Sequence, residues 1–382
     1  MLSFTGTWIQ NTGQQWLVYE LTHSEKALGL LTFISAAPMF FLSPFGGYLA
    51  DRFDKRIVLV LCSAFYALSA FTLAISIWMG FISFSLITGL AFMNGCVAVI
   101  EIPTRLSMIS HIVKPEDLGS AIPLNSMTFN SARVIGPVIG GILLQKFGPE
   151  LCYLVNGISF GAIIIAVLAI RADLRSNAEQ SASLRETLFE GINYVRKRKD
   201  FLVLVTMVIT TSFCGMFYIS QISALAKSVL RVQESAYALL FTATGVGALL
   251  GLLLLATLSR YGKKGILVIF SMIGLGMGLV GLASVIVPWQ AMIFLGFIGA
   301  FGIMQLVGSN TILQSYSPPH LRGRVISVHV WSLAGMHPLG ALLFGYLSEI
   351  YGLSLSFYIG GAVIFVYGSF VLIFAKNVRE IA

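Results

Sequence analysis

Charged residues are scarce in this chain of 382 residues, because Asp, Glu, Lys and Arg together make up only 10% of it. A soluble domain carries about 25%. Hydrophobic residues supply 57%, and the mean hydropathy is +0.88. This balance excludes an ordinary water-soluble domain and predicts an all-α polytopic membrane protein. The net charge of +8 does not indicate a nucleic-acid partner, because the excess lies in loops between apolar runs.

Cysteine and histidine are also few. The four cysteines fall inside apolar runs without a paired motif, which disfavours a disulfide framework or a metal site. The five histidines show no metal-ligand spacing, and we find no nucleophile–base motif or phosphate-binding loop. The sequence therefore disfavours an enzyme and predicts neither a metal nor a cofactor.

Long apolar runs fill most of the chain. A hydrocarbon core of about 30 Å needs about 20 apolar residues in a helix. The pattern predicts twelve spans, near residues 3–21, 28–49, 57–79, 82–106, 119–145, 150–170, 201–226, 235–258, 265–287, 290–314, 323–347 and 353–375. One long polar stretch separates six spans from six. We predict an N-terminal six-helix bundle at 1–171, a linker at 172–200 and a C-terminal six-helix bundle at 201–382, as a monomer in the lipid bilayer.

The distribution of charge among the loops predicts the orientation of the chain in the membrane. Nineteen of the 24 Lys and Arg residues lie in the loops that follow even-numbered spans and in the C-terminal tail, and four lie in the opposite loops. Cytoplasmic loops carry such an excess. The sequence therefore predicts that both termini lie in the cytoplasm.

The linker carries its own helical pattern. Ser183 and Glu186 have the spacing of a capping box, and apolar residues then recur at helical spacing as far as Val195. A basic run, 196–199, follows. We expect a short amphipathic helix with its basic end near anionic headgroups. A regulatory partner site and a plain solvated linker are the alternatives.

The second half repeats features of the first. Residues 52–56 match residues 260–264 at a shift of 208. Five further positions match at a shift of 204: Pro115, Gly119, Gly136, Gly141 and Gly148 correspond to Pro319, Gly323, Gly340, Gly345 and Gly352. Repeats of this kind are typical of transporters whose two halves rock around a midplane site.

A short charged turn joins the second and third spans. The segment Gly47–Arg56 resembles the loop signature of the major facilitator superfamily, Gly-x-Leu-Ala-Asp-Arg-x-Gly-Arg-Arg/Lys, with Asp54 in place of the second glycine. Further segments resemble the drug-efflux branch that includes enterobactin exporters and macrolide efflux pumps. They are residues 6–10, 16–22, 124–126 and 130–137, and the last of them begins with Asn130.

The resemblance implies alternation between inward-open and outward-open states, most often with export of a compound against proton entry. It assigns Asp51 and Arg52, with Gly47, Lys55 and Arg56 beside them, to a cytoplasmic latch. From the charges alone, Asp51 is equally a pairing or helix-capping residue in a positive-inside loop.

The resemblance also matches Gly136 and Pro137 to a fifth-span motif of antiporters. Proline removes a backbone donor and glycine permits close packing, so the helix can bend there. A kink needed only for packing is the alternative. Pro338, in the corresponding span of the second half, is a second candidate for helix bending.

Ionisable residues at membrane depth are candidates for the substrate and proton pathway. Arg133 lies near mid-bilayer and corresponds in the repeat to His337, while Glu101 corresponds to Gln305. His337 titrates near working pH or only hydrogen-bonds a neighbouring helix. Glu101 is the best buried carboxylate for carrying protons, and an ion pair close to the surface is its alternative role.

The first span is rich in amides. Gln10, Asn11, Gln14 and Gln15 are predicted to line one broad helical face that points into the bundle or a water-filled cavity. Interhelical hydrogen bonding alone is the alternative. Together with Asn130, these amides complete the predicted pathway.

From the resemblance we expect an exporter of hydrophobic or amphipathic small molecules, of the drug or siderophore class, that lies in a bacterial-type inner membrane and is driven by the proton gradient. The alternatives are a uniporter or importer of a metabolite or lipid, and a receptor with a transporter fold that has lost transport.

Overall fold

The computed structural model describes residues 1–113, 118–170, 184–259, 262–318 and 321–381. Its description omits the side chains of residues 43–51, 109–111, 118–127, 129–130, 184–189 and 235. Within these limits the regular structure is helical. Helices are the expected form, because in hydrocarbon every backbone N–H and C=O must be hydrogen-bonded within the chain.

Fifteen α-helices and one π-helical turn are found in the described ranges. They are α1 (Leu2–Thr22), α2 (Glu25–Arg52), α3 (Lys55–Trp78), α4 (Phe84–Ile112), α5 (Leu118–Phe147), α6 (Pro149–Ala169), α7 (Leu184–Lys197), α8 (Lys199–Cys214), α9 (Tyr218–Ala224), the π-turn (Leu225–Val229), α10 (Glu234–Leu258), α11 (Lys264–Leu282), α12 (Pro288–Tyr316), α13 (Arg322–Tyr351), α14 (Leu353–Phe374) and α15 (Lys376–Arg379). Ten stretches of the described residues are helical, long and apolar enough to cross a membrane. α1 and α5, which carry the amides and Arg133, are the other two predicted spans.

The seventh predicted span is not one helix. The sequence predicts a continuous span at 201–226, but the helix is interrupted after α8 and resumes as α9. The N–H groups of Gly215 and Met216 both donate to Thr211 O, at 2.8 and 3.1 Å. The interruption places the buried Phe217 ring against Phe344, with ring centroids 4.2 Å apart. Hydropathy cannot predict this break, because the apolar stretch continues across it from Lys199 to Val229.

The helices pack as two units. Unit 1 contains Met1–His23, Phe33–Ser181 and Gln233–Leu239, and unit 2 contains Ser24–Thr32, Ala182–Val232 and Leu240–Ala382. In unit 1, α1 packs on α5 and α6, and α3 packs on α6. The first turn of α10 belongs to this unit, where the Tyr237 hydroxyl donates to Thr12 O at 3.0 Å. In unit 2, α8 packs on α13, and α14 packs on α11.

The repeat in the sequence has structural counterparts. A Cβ added at Gly136 would lie 2.3 Å from the Trp8 Cβ, and one added at its repeat mate Gly340 would lie 2.0 Å from Phe213 O. Each glycine therefore lets one helix of its half approach the first helix of that half. Gly148 and Gly352 also match, because they precede α6 and α14 with φ of 84° and 89°. Pro115 and Pro319 lie outside the described residues.

The helix α7 forms within the predicted linker and packs on α13. Glu190 forms an ion pair with Arg324, and a Cβ added at Gly191 would lie 2.6 Å from Arg324 O. Val195 is buried, while Arg196 and Lys197 are exposed. Ser183, the predicted cap, lies outside the described residues.

Close helix approach makes Gly340 sensitive to a single methyl group. We expect Gly340→Ala to lower the free energy of unfolding by about 1–3 kcal/mol, because the contact is to backbone and cannot be relieved by a rotamer change. The thermal midpoint of the purified protein in detergent measures this. Gly161→Ala is the matched control, because a Cβ there meets nothing within 4 Å and gains helix propensity. Equal midpoints for Gly340→Ala and wild type would contradict the packing role.

Candidate substrate and proton pathway

The charged turn between α2 and α3 is built around Asp54. One carboxylate oxygen of Asp54 accepts hydrogen bonds from the backbone N–H groups of Arg56, at 2.8 Å, and Ile57, at 3.4 Å. Asp54 is therefore the N-cap of α3. The residue that departs from the family signature has a structural function. Sequence reasoning missed this cap, although an aspartate directly before a helix is a known start signal.

The second half makes the corresponding turn differently. The residue equivalent to Asp54 is Gly262, whose φ of 73° is a left-handed conformation that glycine adopts without steric cost. Lys263 then precedes α11 without a side-chain cap hydrogen bond. The two turns thus share their position in the repeat and differ in chemistry.

The residues predicted to form the latch lie in different environments. Arg56 donates from Nη2 to the carbonyl of Ile170, the residue that follows α6, where a cation also complements the negative end of the helix. The Lys55 side chain is buried, with 1% exposed, and Arg52 is exposed. The surroundings of Gly47 and the side chain of Asp51 lie outside the described residues. The latch role of these residues remains a prediction.

The amides of α1 do not share one face. Gln10 is buried, and its Oε1 accepts a hydrogen bond from Asn156 Nδ2 of α6 at 2.6 Å. Gly6 and Gly13 let α6 approach on this side. Interhelical hydrogen bonding, the alternative role for the amides, is therefore what the structure shows for Gln10. Gln14 is half-buried one turn further along.

Asn11 lies on a different face, together with Phe4, Trp8 and Gln15. At about 100° per residue these four fall within an arc of about 60°, and we call them the α1 stripe. Asn11 is exposed, and the other three are half-buried. The stripe therefore carries two aromatic rings followed by two amides, a combination suited to an amphipathic ligand.

Two guanidinium groups face the rings of the α1 stripe. Arg105 of α4 lies 4.9 Å from the Phe4 ring centroid, and Arg133 of α5 lies 5.7 Å from that of Trp8. Arg105 Nε also donates to Glu101 Oε1 at 2.8 Å. Glu101 thus forms the ion pair that was its alternative role and is not paired with Arg133.

Gly136 and Pro137 lie beside this face. Gly136 contacts Trp8, as described above, so it has the packing role that was one of its two predicted roles. α5 continues unbroken from Leu118 to Phe147 through Pro137. Bending at this point stays a prediction, and the Asn130 side chain lies outside the described residues.

Unit 2 holds the repeat mates, Gln305 and His337. Gln305 has 0% of its surface exposed, and neither amide atom finds a hydrogen-bond partner among the described residues. Ser309, one turn along α12, is likewise buried without a partner in the described part of the chain. A buried polar atom without a partner costs about 1–3 kcal/mol, so this side of α12 suits a polar ligand or water. His337 is half-buried beside Pro338 in the continuous helix α13.

Comparison with known proteins identifies the class. Over residues 1–381 the chain matches the MFS_3 family, described as transmembrane secretion effectors. The Staphyloferrin A transporter of Staphylococcus aureus (strain NCTC 8325 / PS 47) is 23% identical over 363 residues, which cover 94% of this chain and 90% of the relative. The Enterobactin exporter EntS of Shigella flexneri is 24% identical over 334 residues, which cover 86% and 78%.

Solved structures show the same fold. A bacterial homolog to the human lysosomal transporter Spinster, inward-facing and occupied, aligns with a TM-score of 0.78 at 15% identity, covering 99% of this chain and 95% of that one. A D-xylose-proton symporter aligns with a TM-score of 0.75 at 15% identity, covering 99% and 96%. The family match and the fold therefore define a multi-pass transporter of the major facilitator type, not an enzyme.

The chain belongs to the transmembrane secretion effector family of these transporters. The predicted resemblance to this superfamily and to enterobactin exporters is confirmed.

The cap at Asp54 can be tested by substitution. We expect Asp54→Ala to lower the free energy of unfolding by about 0.5–2 kcal/mol, because two N–H groups at the start of α3 lose their acceptor. Asp54→Asn keeps an acceptor oxygen and should be close to wild type. Thermal midpoints in detergent compare the three proteins. If Asp54→Asn is as unstable as Asp54→Ala, the side chain acts through its charge and not as a cap.

Proposed function

We propose that this protein is a proton-coupled exporter of hydrophobic or amphipathic small molecules, of the siderophore or drug class, and that it works by alternating access. The observation that carries the proposal is the α1 stripe, where rings, amides and two guanidinium groups meet within a membrane helix bundle. The names of the two relatives, one a siderophore transporter and one an enterobactin exporter, support this cargo class.

The proton carrier in this proposal is Glu101. Its carboxylate is half-buried and holds Arg105 through a charge-assisted hydrogen bond. Protonation of Glu101 removes the charge that holds this guanidinium and leaves Arg105 free to reorient beside Phe4. A proton can thus change the electrostatics of the α1 stripe without contacting the cargo.

The orientation in this proposal rests on loop charge, because an excess of Lys and Arg on one side supports cytoplasmic positions for both termini. The bacterial relatives support a bacterial-type inner membrane. The turn at Asp54 and the helix α7 then lie on the cytoplasmic side. Export means movement away from the face that carries these two elements.

Efflux from proteoliposomes tests the function directly. We expect an imposed pH gradient to accelerate export of a compound from a panel of drugs and siderophores, and Glu101→Gln to reduce export to the rate without a gradient. Glu380→Gln is the matched control, because it removes a carboxylate outside the spans. His337→Ala tests the second titratable candidate. Flux that is independent of the gradient in all variants would replace antiport by facilitated diffusion, and gradient-driven uptake would replace export by import.

The latch is tested separately. We expect Asp51→Asn to impair transport while membrane insertion stays intact, because the resemblance places this carboxylate in a contact that forms in only one state. Transport rates of the purified variant in proteoliposomes, normalised to inserted protein, measure the effect. A wild-type rate for Asp51→Asn would show that the latch does not depend on this charge.

A further inference from the structure

Arg133 lies near the middle of α5, in unit 1. It stands 14 residues before the end of α5, and Trp8 stands 14 residues before the end of α1. At 1.5 Å per residue, both side chains are about 21 Å along their helices from those ends. The contact between the two residues is therefore in register with respect to the C-terminal ends of α1 and α5.

The positive charge of Arg133 is not neutralised by a carboxylate in the part of the chain that the structure describes. Arg105, on the same face of α1, is paired with Glu101, whereas Arg133 has the Trp8 ring at 5.7 Å. A guanidinium keeps its charge in proteins, because it cannot be deprotonated there. A ring face attracts a cation but does not balance its charge. A charge at this depth is costly and marks a functional position.

The immediate surroundings form a binding face. Gly136 allows the backbones of α1 and α5 to come close beneath Trp8, so the ring and the guanidinium are held together. Asn11, about one turn after Trp8 on the same face of α1, is exposed and offers both a donor and an acceptor. A guanidinium presents paired N–H donors that match the two oxygens of a carboxylate.

We infer that Arg133 binds an anionic group of the cargo, a carboxylate or a chemically similar oxyanion, while the cargo's apolar body lies along the rings of the α1 stripe. This inference rests on the proposed function and adds that the exported compound carries a negative charge. An anionic lipid could offer similar chemistry, but headgroups lie about 15 Å from the centre of a 30 Å core. A cargo anion that enters the bundle is the source that fits the depth of Arg133.

Equilibrium binding of a matched probe pair tests the inference. The probes are 1-pyrenebutyrate and its methyl ester, which differ in the negative charge, and binding to the purified protein in detergent is followed by pyrene fluorescence. We expect wild type to prefer the acid over the ester by about ten- to a hundredfold, the range for a charge-assisted hydrogen bond. Arg133→Gln should lose this preference, and Arg133→Lys should keep part of it. Lys146→Gln, which removes an exposed charge at the end of the same helix, should behave as wild type.

Several results would overturn the inference. They are equal affinity for acid and ester in wild type, no binding of either probe, or an undiminished preference for the acid in Arg133→Gln. Wild-type affinity of Arg133→Gln for the ester shows that the variant is folded. Competition of the acid by micelles containing phosphatidylglycerol, and not by micelles of phosphatidylcholine, would assign Arg133 to lipid instead.

The binding assay contains no membrane and no gradient. Its result is therefore separable from the proposed function, which fails if efflux is absent or independent of the gradient. If the protein prefers the acid probe but its efflux does not depend on the gradient, the role of Arg133 stands and proton coupling is rejected.

Discussion

Close backbone contact at glycine is the interaction on which the rest of this structure depends. Lipid tails are as apolar as the helix surfaces, so membrane helices associate through tight packing and a few polar contacts. In both halves a glycine at the same place in the repeat, Gly136 or Gly340, brings the first helix of its half into contact. Gly136 of α5 contacts Trp8 of α1. The same contact therefore packs the two helices of unit 1 together and places the α1 stripe beside Arg133.

The polar side chains in the helix bundle fall into two groups, according to whether another side chain supplies their hydrogen bond or opposite charge. Gln10 accepts a hydrogen bond from Asn156, and Arg105 donates one to Glu101, so these pairs stabilise the packing of the protein itself. Arg133 and Gln305 are different, because the described residues provide Arg133 with only a ring and Gln305 with no hydrogen bond. Arg133 and Gln305 are therefore the candidates for contact with a ligand or water.

Much of this could be predicted from the sequence, and the limits have physical causes. Apolar length identifies ten of the twelve predicted spans among the described residues, and the repeat identifies Gly340 and Gly352 as counterparts of Gly136 and Gly148. Three features could not be obtained this way. The break before Phe217 depends on rings from α13 and α14, and the separation of Gln10 from Asn11 depends on which neighbour lies on each side of α1. The pairing of Glu101 with Arg105 was one of two roles that spacing alone could not decide.

The two different turns of the repeat have a consequence for how the chain folds. A glycine samples more backbone conformations in the unfolded chain than any other residue, so fixing it costs about 0.5–1 kcal/mol more entropy than fixing alanine. Gly262 carries that cost before α11, whereas Asp54 sits before α3 at an ordinary φ of −59° and gains two hydrogen bonds. The turn between α2 and α3, which is also synthesised first, therefore closes with the smaller entropic loss.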